Sequence, residues 1–420
     1  MFSFKQYNQS FNYLISLANL REDSSITGAR DPRQYLKRAK LLLKLAGNPE
    51  RSAKKIIVVT GTSGKGSTCN ILQQILTEAG KKVGTYMSPH STAAIERIKV
   101  NDLYISPDEF TAMVEKAKPI IEKCHEQTSL PSYFENFLLI ALLYFKQQKC
   151  DYQIIEVGCG GRYDAANALS RIDVAAITNI GPDHLHIIGP TLKDVAYEKA
   201  GIIHQNICLT TEKKKQFLKI FDNEAKKTKA KMVWVESKQN PNAELASKMA
   251  EYLKIKKQFI KAGIAKAKLP CRLEVIQKNP LVILDSAHNP DKLKYLTIKL
   301  QNHRTTKLHI VFALSSPKDE KACLKPLLDN FNCQVYATRF LVEQRRATDP
   351  LKIVPVIKKF WPKIKCQPYL DPWQAFDEAR RNQRKNETLL ITGSTFLCGE
   401  LRKFWVSEEK ILKTRKSFNG

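Results

Sequence analysis

The chain has 420 residues, of which 43% are hydrophobic, and a formal net charge of +28. This length predicts two or three domains that can bury real hydrophobic cores. The longest apolar run, residues 137–145, is far shorter than the roughly 20 residues that span a bilayer. Polar residues such as Lys5 and Asn8 interrupt the beginning of the chain, so we expect neither a membrane helix nor a signal peptide.

The positive charge and the cysteines do not by themselves define a function. The lysines are scattered, and no basic motif is interleaved with aromatic residues, which favours solvated helix faces over a nucleic-acid surface. The ten cysteines form no C-x-x-C pair and lie mostly in apolar stretches. We interpret them as reduced, buried thiols of a cytoplasmic protein, with no zinc site.

Strands and helices alternate through the first half of the chain. A short, apolar, β-branched run predicts a buried strand at Lys55–Thr60, which leads into a Gly-rich turn and a helix over 67–79. Ser106 and Glu109 form a capping-box signal that opens a long helix. Further predicted elements are helices over 133–147 and 191–200 and strands at 82–87, 152–157, 173–178 and 207–210. This alternation predicts a parallel, doubly wound sheet.

The remainder of the chain predicts a second, smaller α/β domain. Residues 213–268 are rich in lysine and are predicted to be helical, and we place a domain boundary near Pro270. The sequence therefore predicts one domain over residues 1–270 and another over 271–420. In the second domain we expect a hairpin at 273–275 and 281–284, followed by strands at 308–313, 334–337 and 389–392 that alternate with helices.

The strongest motif is the run VVTGTSGKGST at residues 58–68. A strand, a Gly-rich turn and a helix start follow one another in the order that a phosphate-binding loop requires. Gly61, Gly64 and Gly66 carry no Cβ, so backbone N–H groups can wrap phosphate oxygens. Lys65 supplies a cation for the β- and γ-phosphates. We interpret the run as an ATP-binding loop; the alternative is a turn that only joins strand to helix.

The loop also indicates a metal and excludes some enzyme classes. Ser67 or Thr68 offers a hydroxyl near Mg²⁺, the ion that accompanies ATP. In a strict G-x-x-x-x-G-K-[ST] loop the first position would be glycine, but here it is Val59, and Gly66 follows the lysine. This departure argues against GTPases and most kinases.

The run GTSGKGS at residues 61–67 resembles the loop of folylpolyglutamate synthases and dihydrofolate synthases, which are relatives of the Mur peptidoglycan ligases. Further segments match that family in the same order: SPH at 88–90, EVGCGGRYDA at 156–165, DH at 183–184, EKAGI at 198–202, LPCR at 269–272, DSAHNP at 285–290, RA at 346–347 and GELR at 399–402. The match spans about residues 35 to 405. The chain departs from the family pattern at Cys159, Cys271, 91–94 and 317–319, which bears on substrate preference more than on ligase chemistry.

The resemblance implies a Mur-ligase-like α/β fold, with an N-terminal phosphate-loop domain and a smaller, Rossmann-like C-terminal domain. It implies an ADP-forming ligase that adds L-glutamate to folates through an acyl phosphate. ATP and Mg²⁺ would be the cofactors, and K⁺ is left open. The expected partners are the small-molecule substrates alone, with no nucleic acid and no membrane, and we expect a monomer.

The resemblance also implies a metal site and a modified lysine. Glu156, His184 and Ser88 correspond to Mg²⁺ ligands, although Glu156 could instead cap a helix or form a salt bridge, and Ser88 could be a turn residue. Lys199, in EKAGI, corresponds to a lysine that is carbamylated by CO₂ and thereby becomes a carboxylate-like acceptor. The implied catalytic residues are Lys65, Lys199 and His184.

For the nucleotide, the resemblance implies contacts from both domains. The second domain would supply Arg272 to phosphate, Asp285 to ribose or adenine and His288 to the nucleotide, in a site completed by domain closure. An Asx turn is the alternative for Asp285. The implied ATP-binding residues of the first domain are Gly61, Thr62, Ser63, Gly64, Lys65, Gly66 and Ser67.

For the pterin, Ser132, Phe134, Asp164 and Ala165 match positions that line the pterin pocket in bifunctional members. Phe134 could stack on the flat ring, or it could simply pack in the core. Asp164 could accept hydrogen bonds from the pterin amino group.

Three functions stay open at this point. The folate ligase is favoured, either with the dual activity on dihydropteroate and folate or with chain extension alone. A Mur-type ligase of peptidoglycan precursors is opposed by Gly66 and the EKAGI segment. A basic ATPase that binds nucleic acid lacks the clustered basic and aromatic residues that it would need.

Overall fold

The computed structural model describes residues 4–19, 31–182, 185–237, 239–303, 305–316, 318–342 and 346–418. These residues form two compact units. The larger unit contains the described residues of Met1–Ser88, Ile95–Lys268 and Leu412–Gly420, and the smaller unit contains those of Pro89–Ala94 and Leu269–Ile411. Among the described residues, no helix is both long and apolar enough to cross a membrane.

The larger unit is built on a mostly parallel sheet. Its strands are β1 (Lys55–Thr60), β2 (Val83–Tyr86), β3 (Ile98–Val100), β4 (Leu103–Tyr104), β5 (Tyr152–Glu156), β6 (Val174–Ile177), β7 (Ile207–Thr210) and β8 (Lys231–Trp234). Its helices are α1 (Phe4–Asn19), α2 (Arg33–Leu45), α3 (Lys65–Glu78), α4 (Pro107–Gln127), α5 (Tyr133–Gln147), α6 (Leu185–Ile188), α7 (Leu192–Ala200), α8 (Lys215–Thr228), α9 (Pro241–Tyr252) and α10 (Lys257–Lys266).

The strand order places β1 in the interior of the sheet. Over the described residues the order is β4-β3-β2-β5-β1-β6-β7-β8. β3 pairs antiparallel with both β2 and β4, and the other neighbouring strands pair parallel. β1 therefore lies between β5 and β6, with all three strands parallel. Ligands of such sheets bind at the carboxyl ends of the strands, near the point where the chain switches direction across the sheet. The ends of β1, β5 and β6 define that point here.

The smaller unit has a second sheet with the order β13-β12-β11-β14-β10-β9 over its described residues. Its strands are β9 (Glu274–Gln277), β10 (Leu281–Asp285), β11 (Leu308–Phe312), β12 (Cys333–Ala337), β13 (Lys365–Pro368) and β14 (Thr388–Thr392). The helices are α11 (Pro290–Leu300), α12 (Glu320–Leu328), α13 (Pro350–Phe360), α14 (Pro372–Asn382), α15 (Thr395–Arg402) and α16 (Glu408–Thr414), the last of which crosses the boundary between the units.

Both faces of this second sheet are buried, which explains its continuously apolar strands. Ile310 and Phe312 of β11 pack into one hydrophobic cluster, and Val311 packs into another. Since successive side chains of a strand point to opposite faces, a strand that is covered on both sides needs apolar residues at every position.

The structure confirms the α/β class and most of the predicted elements. β1, β7 and α5 have the predicted bounds, and β9 pairs antiparallel with β10 as expected. The capping box of Ser106 and Glu109 is formed, and Thr191 caps α7. The prediction for residues 213–268 was incomplete, because β8 lies within that segment. The short strands β3, β4, β8 and β13 carry little periodic signal of their own and depend on their pairing partners.

Candidate active site

The glycine-rich loop joins the carboxyl end of β1 to α3. Gly64 has a left-handed backbone with φ 86° and stands at the N-cap of α3, which begins at Lys65. In the first turn of a helix the backbone N–H groups have no intrahelical partner and point away from the helix, so they can bind an anion. The loop therefore presents N–H donors at the edge of the sheet where ligands bind.

The residues that follow β6 hold this loop in place. Asn179 accepts the Thr62 N–H at its backbone oxygen (2.9 Å) and the Ser63 N–H at Oδ1 (2.8 Å), and the Thr178 hydroxyl donates to the Ser63 carbonyl (2.6 Å). Gly61 has φ 142°, and a Cβ built on it would lie 1.7 Å from Thr178 Oγ1. Only glycine allows this approach. Sequence reasoning missed Thr178 and Asn179, although their place directly after a predicted strand was a usable signal.

Several polar groups around the loop suit a phosphate. The Lys65 ammonium lies over the loop and donates to the Gly61 carbonyl (2.9 Å). Within the described part of the chain, the buried hydroxyls of Ser63 and Thr68 have no hydrogen-bond partner. Unsatisfied buried hydroxyls are costly, and a bound polar ligand would satisfy them. The site therefore offers donors, a cation and unused hydroxyls, which fits ATP.

Glu156 lies at the end of β5, beside the loop. Its side chain is only 6% exposed, and Oε2 accepts the Ser88 N–H (3.0 Å). A Cβ on residue 66 would come within 3.3 Å of the same oxygen, so glycine after the loop lysine leaves room for this carboxylate. The structure thus brings Ser88, Glu156 and the start of α3 together.

Among the described residues, Glu156 and Ser88 supply only part of a Mg²⁺ site. A carboxylate and a hydroxyl are the hard oxygen ligands that Mg²⁺ prefers, with waters completing the shell. His184, the other predicted ligand, lies outside the described residues, as do Asp183 and Pro317. No group of three or more His, Cys, Asp or Glu side chains that could hold a metal occurs among the residues described.

The last turn of α7 packs against the glycine turn that follows β5. The Arg162 N–H donates to the Glu198 carbonyl (2.8 Å), and a Cβ on Gly161 would lie 3.2 Å from Lys199 Cα. Burial raises the pKa of Glu198 to about 7, against the opposing charges of Arg162 and Lys199. The Lys199 side chain is 5% exposed, so it lies in the interior, near this turn.

Two of the four pterin candidates meet around Gly158. A Cβ on Gly158 would lie 3.4 Å from Asp164 Oδ2 and 3.5 Å from Phe134 Cδ1. Phe134 is 42% exposed, so it is not a core residue. Asp164 Oδ2 accepts the N–H groups of Gly158 and Cys159, both at 3.1 Å. Burial raises the pKa of Asp164, and these backbone bonds lower it.

The other two pterin candidates have local structural roles. The Ser132 hydroxyl caps α5 by accepting the Glu135 N–H (3.3 Å), and Glu135 accepts the Ser132 N–H in return (2.6 Å). Arg38 pairs with Glu135 at 2.7 Å, and both side chains are buried. Ala165 begins a single 3₁₀ turn that Asp164 caps. Ser132 and Ala165 thus shape the segments that carry Phe134 and Asp164.

In the smaller unit, both carboxylate oxygens of Asp285 accept hydrogen bonds from the backbone. Oδ2 accepts the Leu273 N–H and Oδ1 accepts the Ala287 N–H, both at 2.8 Å, and the second bond is an Asx turn. Burial raises the pKa of Asp285, and the guanidinium of Arg272 opposes that shift. Arg272 itself donates to the Cys271 carbonyl (3.2 Å).

His288 is held as one neutral tautomer. Its Nδ1 lies 2.8 Å from the Ser286 carbonyl, which can only accept, and its Nε2 lies 3.0 Å from the Lys292 ammonium, which can only donate. Nδ1 therefore carries the proton. Burial, together with the cations Lys292, Lys318 and Arg272, holds the pKa of His288 well below its usual value.

The chain is similar to known proteins over most of its length. The Mur ligase middle domain matches residues 59–279, and the C-terminal domain of dihydrofolate synthetase matches residues 270–404. The dihydrofolate synthase/folylpolyglutamate synthase of Bacillus subtilis (strain 168) is 31% identical over 414 residues, covering 88% of this chain and 94% of that protein.

The chain belongs to the dihydrofolate synthase/folylpolyglutamate synthase family. Solved members of this family have the same fold. Escherichia coli FolC in complex with DHPP and ADP is 27% identical, with a TM-score of 0.82, covering 94% of this chain and 97% of that chain. The bifunctional enzyme of Yersinia pestis complexed with AMPPNP and Mn ion is 26% identical, with a TM-score of 0.81, covering 95% and 97%. The family membership predicted from the sequence motifs is confirmed.

Replacing Gly61 by alanine tests the loop geometry. We expect Gly61→Ala to weaken ADP binding by about tenfold or more, because the methyl group collides with Thr178 and displaces the donors. Isothermal titration calorimetry with ADP measures this. Gly47→Ala is the matched control, since Gly47 also has a positive φ (74°) but no atom within 4 Å of the added Cβ. Equal ADP affinity in both variants would contradict the loop geometry.

The neutral state of His288 predicts an acid-sensitive smaller unit. Its folded pKa lies below the unfolded value of about 6.5, so the unfolded chain binds the proton first as the pH falls. This contribution to stability is present above pH ~6.5 and is lost below it, by up to about 1.4 kcal/mol per pH unit. We therefore expect His288→Gln to lose less stability than the wild type between about pH 7 and about pH 5.5 in urea unfolding.

The exposed His125 provides the control for that experiment. His125→Gln controls for the loss of one histidine and would be unfolded in urea over the same pH range. An acid-induced loss in His288→Gln as large as that of the wild type would show that folding does not lower the pKa of His288.

Proposed function

We propose that this protein joins L-glutamate to folates with ATP, releasing ADP and phosphate. The observation that carries the proposal is the phosphate-type loop, which is pinned by Thr178 and Asn179 and has the Glu156 carboxylate beside it. Phe134 and Asp164 lie on segments that meet at the turn directly after Glu156, so the groups suited to a pterin lie at the same sheet edge. The family's complexes with ADP and with DHPP support both halves of the proposal.

The reaction activates a carboxylate that is otherwise unreactive toward an amine. A carboxylate oxygen of the folate attacks the γ-phosphorus of ATP, the bond to the β,γ-bridging oxygen breaks, and ADP leaves with that electron pair. The glutamate amine then attacks the acyl carbon, loses a proton and displaces phosphate. Both partners of the first step are anions, so catalysis depends on charge neutralisation and alignment.

The larger unit supplies that neutralisation. In the proposal, the N–H groups at Gly64, Lys65, Gly66 and Ser67 bind the phosphates, with Thr62 and Ser63 shaping the loop. The Lys65 ammonium moves from the Gly61 carbonyl to the β- and γ-phosphates, a change of partner that its flexible side chain allows. Since Thr178 and Asn179 hold the loop in place, its donors need no reorganisation.

For the metal, we propose Glu156, Ser88 and His184 as the residues that hold Mg²⁺. When bound, the ion supplies charge neutralisation to the phosphate oxygens. The Glu156 carboxylate beside the loop is oriented by the Ser88 N–H. This orientation is the part of the metal proposal that the chain's own contacts support.

We propose that Lys199 is carbamylated. Its neutral amine would attack CO₂ and lose a proton, leaving a carbamate that bears a negative charge. Lys199 is 5% exposed, so a carbamate there would be shielded from bulk water. The carbamate would then serve, with His184, as a polar group at the phosphate end of the site.

For the smaller unit, we retain the nucleotide-binding roles of Arg272, Asp285 and His288. Arg272 suits phosphate because guanidinium binds phosphate oxygens in pairs. Asp285 and His288 would act on the nucleotide largely through neighbouring groups, because their polar atoms already have partners. Asp285 accepts from Leu273 and Ala287, and His288 bonds to Lys292.

Within the folate function, we favour the dual activity on dihydropteroate and on folates. The exposed Phe134 ring and Asp164 stand beside the same glycine, an arrangement that suits the pterin ring of dihydropteroate as well as that of a folate. We also infer a monomer that binds no nucleic acid. We infer that it acts in the cytoplasm, which accords with its ten free cysteines.

Measurement of ADP release tests the function. Purified protein would be incubated with ATP, Mg²⁺ and glutamate plus either dihydropteroate or tetrahydrofolate. ADP release that requires glutamate with both acceptors supports the dual activity, and release with tetrahydrofolate alone supports extension only. Release with neither acceptor would refute the proposed function.

Replacing Lys65 tests the assigned catalytic site. Lys65→Ala should lower glutamate-dependent ADP formation by about 100-fold or more while the melting temperature is kept, because the substitution removes a cation from the reacting phosphates. Lys55→Ala, at the opposite end of β1, is the matched control and should retain activity. Near-normal turnover of Lys65→Ala would refute the site.

A further inference from the structure

The turn that carries Arg272 has a strained backbone. The residues on either side of it, Cys271 and Leu273, have left-handed conformations with φ 56° and 46°. Side chains disfavour this region, and a leucine there is unusual. Cys271 occupies a position where glycine would carry no such penalty. Conformations of this kind persist only where the surrounding contacts impose them, and they often occur at functional sites.

Two carboxylates impose the conformation by binding the N–H groups on either side of Arg272. Glu274 Oε2 accepts the Cys271 N–H, and Asp285 Oδ2 accepts the Leu273 N–H, both at 2.8 Å. The Cys271 carbonyl in turn accepts the Ser286 N–H at 2.9 Å. The backbone of the turn is thus held from both sides, and Arg272 lies between the two anchors, with its guanidinium donating to the Cys271 carbonyl (3.2 Å).

Arg402, on the last turn of α15, fixes one of these carboxylates. Its Nε lies 3.1 and 3.0 Å from the two oxygens of Glu274, and its Nη2 lies 2.8 Å from Oε1. The Arg402 side chain is 0% exposed and that of Glu274 is 7% exposed. A buried two-pronged pair of this kind sets the plane of the carboxylate as well as its charge.

We propose that Arg402 and Glu274 are positioning residues for nucleotide binding, acting through the turn that presents Arg272. Without the Arg402 guanidinium, nothing holds the Glu274 carboxylate in its plane, and the Cys271 N–H loses its aligned acceptor. The turn then relaxes from its left-handed geometry, and Arg272 leaves the position in which it meets phosphate. This inference rests on the proposed role of Arg272 in binding the nucleotide.

A merely structural role for the pair is distinguishable from this one. If Arg402 only stabilises the smaller unit, its loss lowers the melting temperature and leaves the affinity of the folded protein for ADP unchanged. If it positions Arg272, the affinity for ADP and the KM for ATP change, while the KM for the folate stays near that of the wild type.

The experiment is a double-mutant cycle on the full chain, with the dissociation constant of ADP measured by calorimetry. We expect Arg272→Ala and Arg402→Met each to weaken ADP binding by about tenfold, a typical effect of losing one charge-assisted contact. In the Arg272→Ala background, Arg402→Met should have no further effect, because its influence passes through Arg272. Arg402→Lys should recover part of the affinity, since it restores the charge but not the two-pronged geometry.

A second buried pair of the same unit gives the matched control. His309 contacts Glu387 (2.8 Å) and Tyr336 (3.1 Å), and both of these residues lie outside the Arg272 turn. His309→Gln should lower the melting temperature without changing the affinity for ADP. If Arg402→Met is too unstable to purify, Glu274→Gln, which keeps the shape of the side chain, takes its place in the cycle.

Three results would overturn the inference. Wild-type ADP affinity in both Arg402→Met and Glu274→Gln would make the pair structural only. Additive effects of Arg402→Met and Arg272→Ala would show that Arg402 acts by another route. Wild-type ADP affinity in Arg272→Ala would remove the nucleotide role of Arg272 and with it this inference, whereas glutamate-dependent ADP release by the wild type would still support the ligase function.

Discussion

A side chain on residue 61 would lie 1.7 Å from the Thr178 hydroxyl, so the loop after β1 can rest against β6 only with glycine at that position. That approach lets the Thr178 hydroxyl bind the backbone of Ser63, and it lets Asn179 bind the backbone of Thr62 and Ser63. The N–H groups that follow, at the start of α3, lie at the sheet edge without intrahelical partners. A phosphate that arrives there meets donors already in place, which is the condition for strong electrostatic binding.

The charges around that point have a consistent logic. Glu156 lies next to the loop, although a carboxylate close to a triphosphate would repel it. A cation between the two removes the repulsion, and Lys65 alone is a single positive charge. The chemistry of the residues therefore calls for a divalent ion, and the glycine at residue 66 leaves the space in which Glu156 lies. Glycine in place of the serine or threonine of the strict loop sequence thus accompanies a carboxylate, Glu156, beside the loop.

Local sequence patterns predicted the elements, and ordered motifs predicted the family, but contacts between distant segments stayed hidden. β1 and α5 were predicted with their observed bounds, because burial and capping leave a local signal. The pairing of Thr178 with the loop joins residues far apart in the chain, and no periodicity reports it. The Glu274–Arg402 pair is hidden for the same reason. The roles of His184 and Lys199 rest on resemblance, since no local pattern encodes a metal ligand or a carbamate.

The most direct test of the account is a crystal structure of the protein with AMPPNP and Mn²⁺, with the ion located by its anomalous scattering. The account predicts the β- and γ-phosphates against the N–H groups of Gly64 to Ser67, and an anomalous peak coordinated directly by Glu156. A nucleotide bound away from this loop, or a peak that Glu156 does not contact, would contradict it.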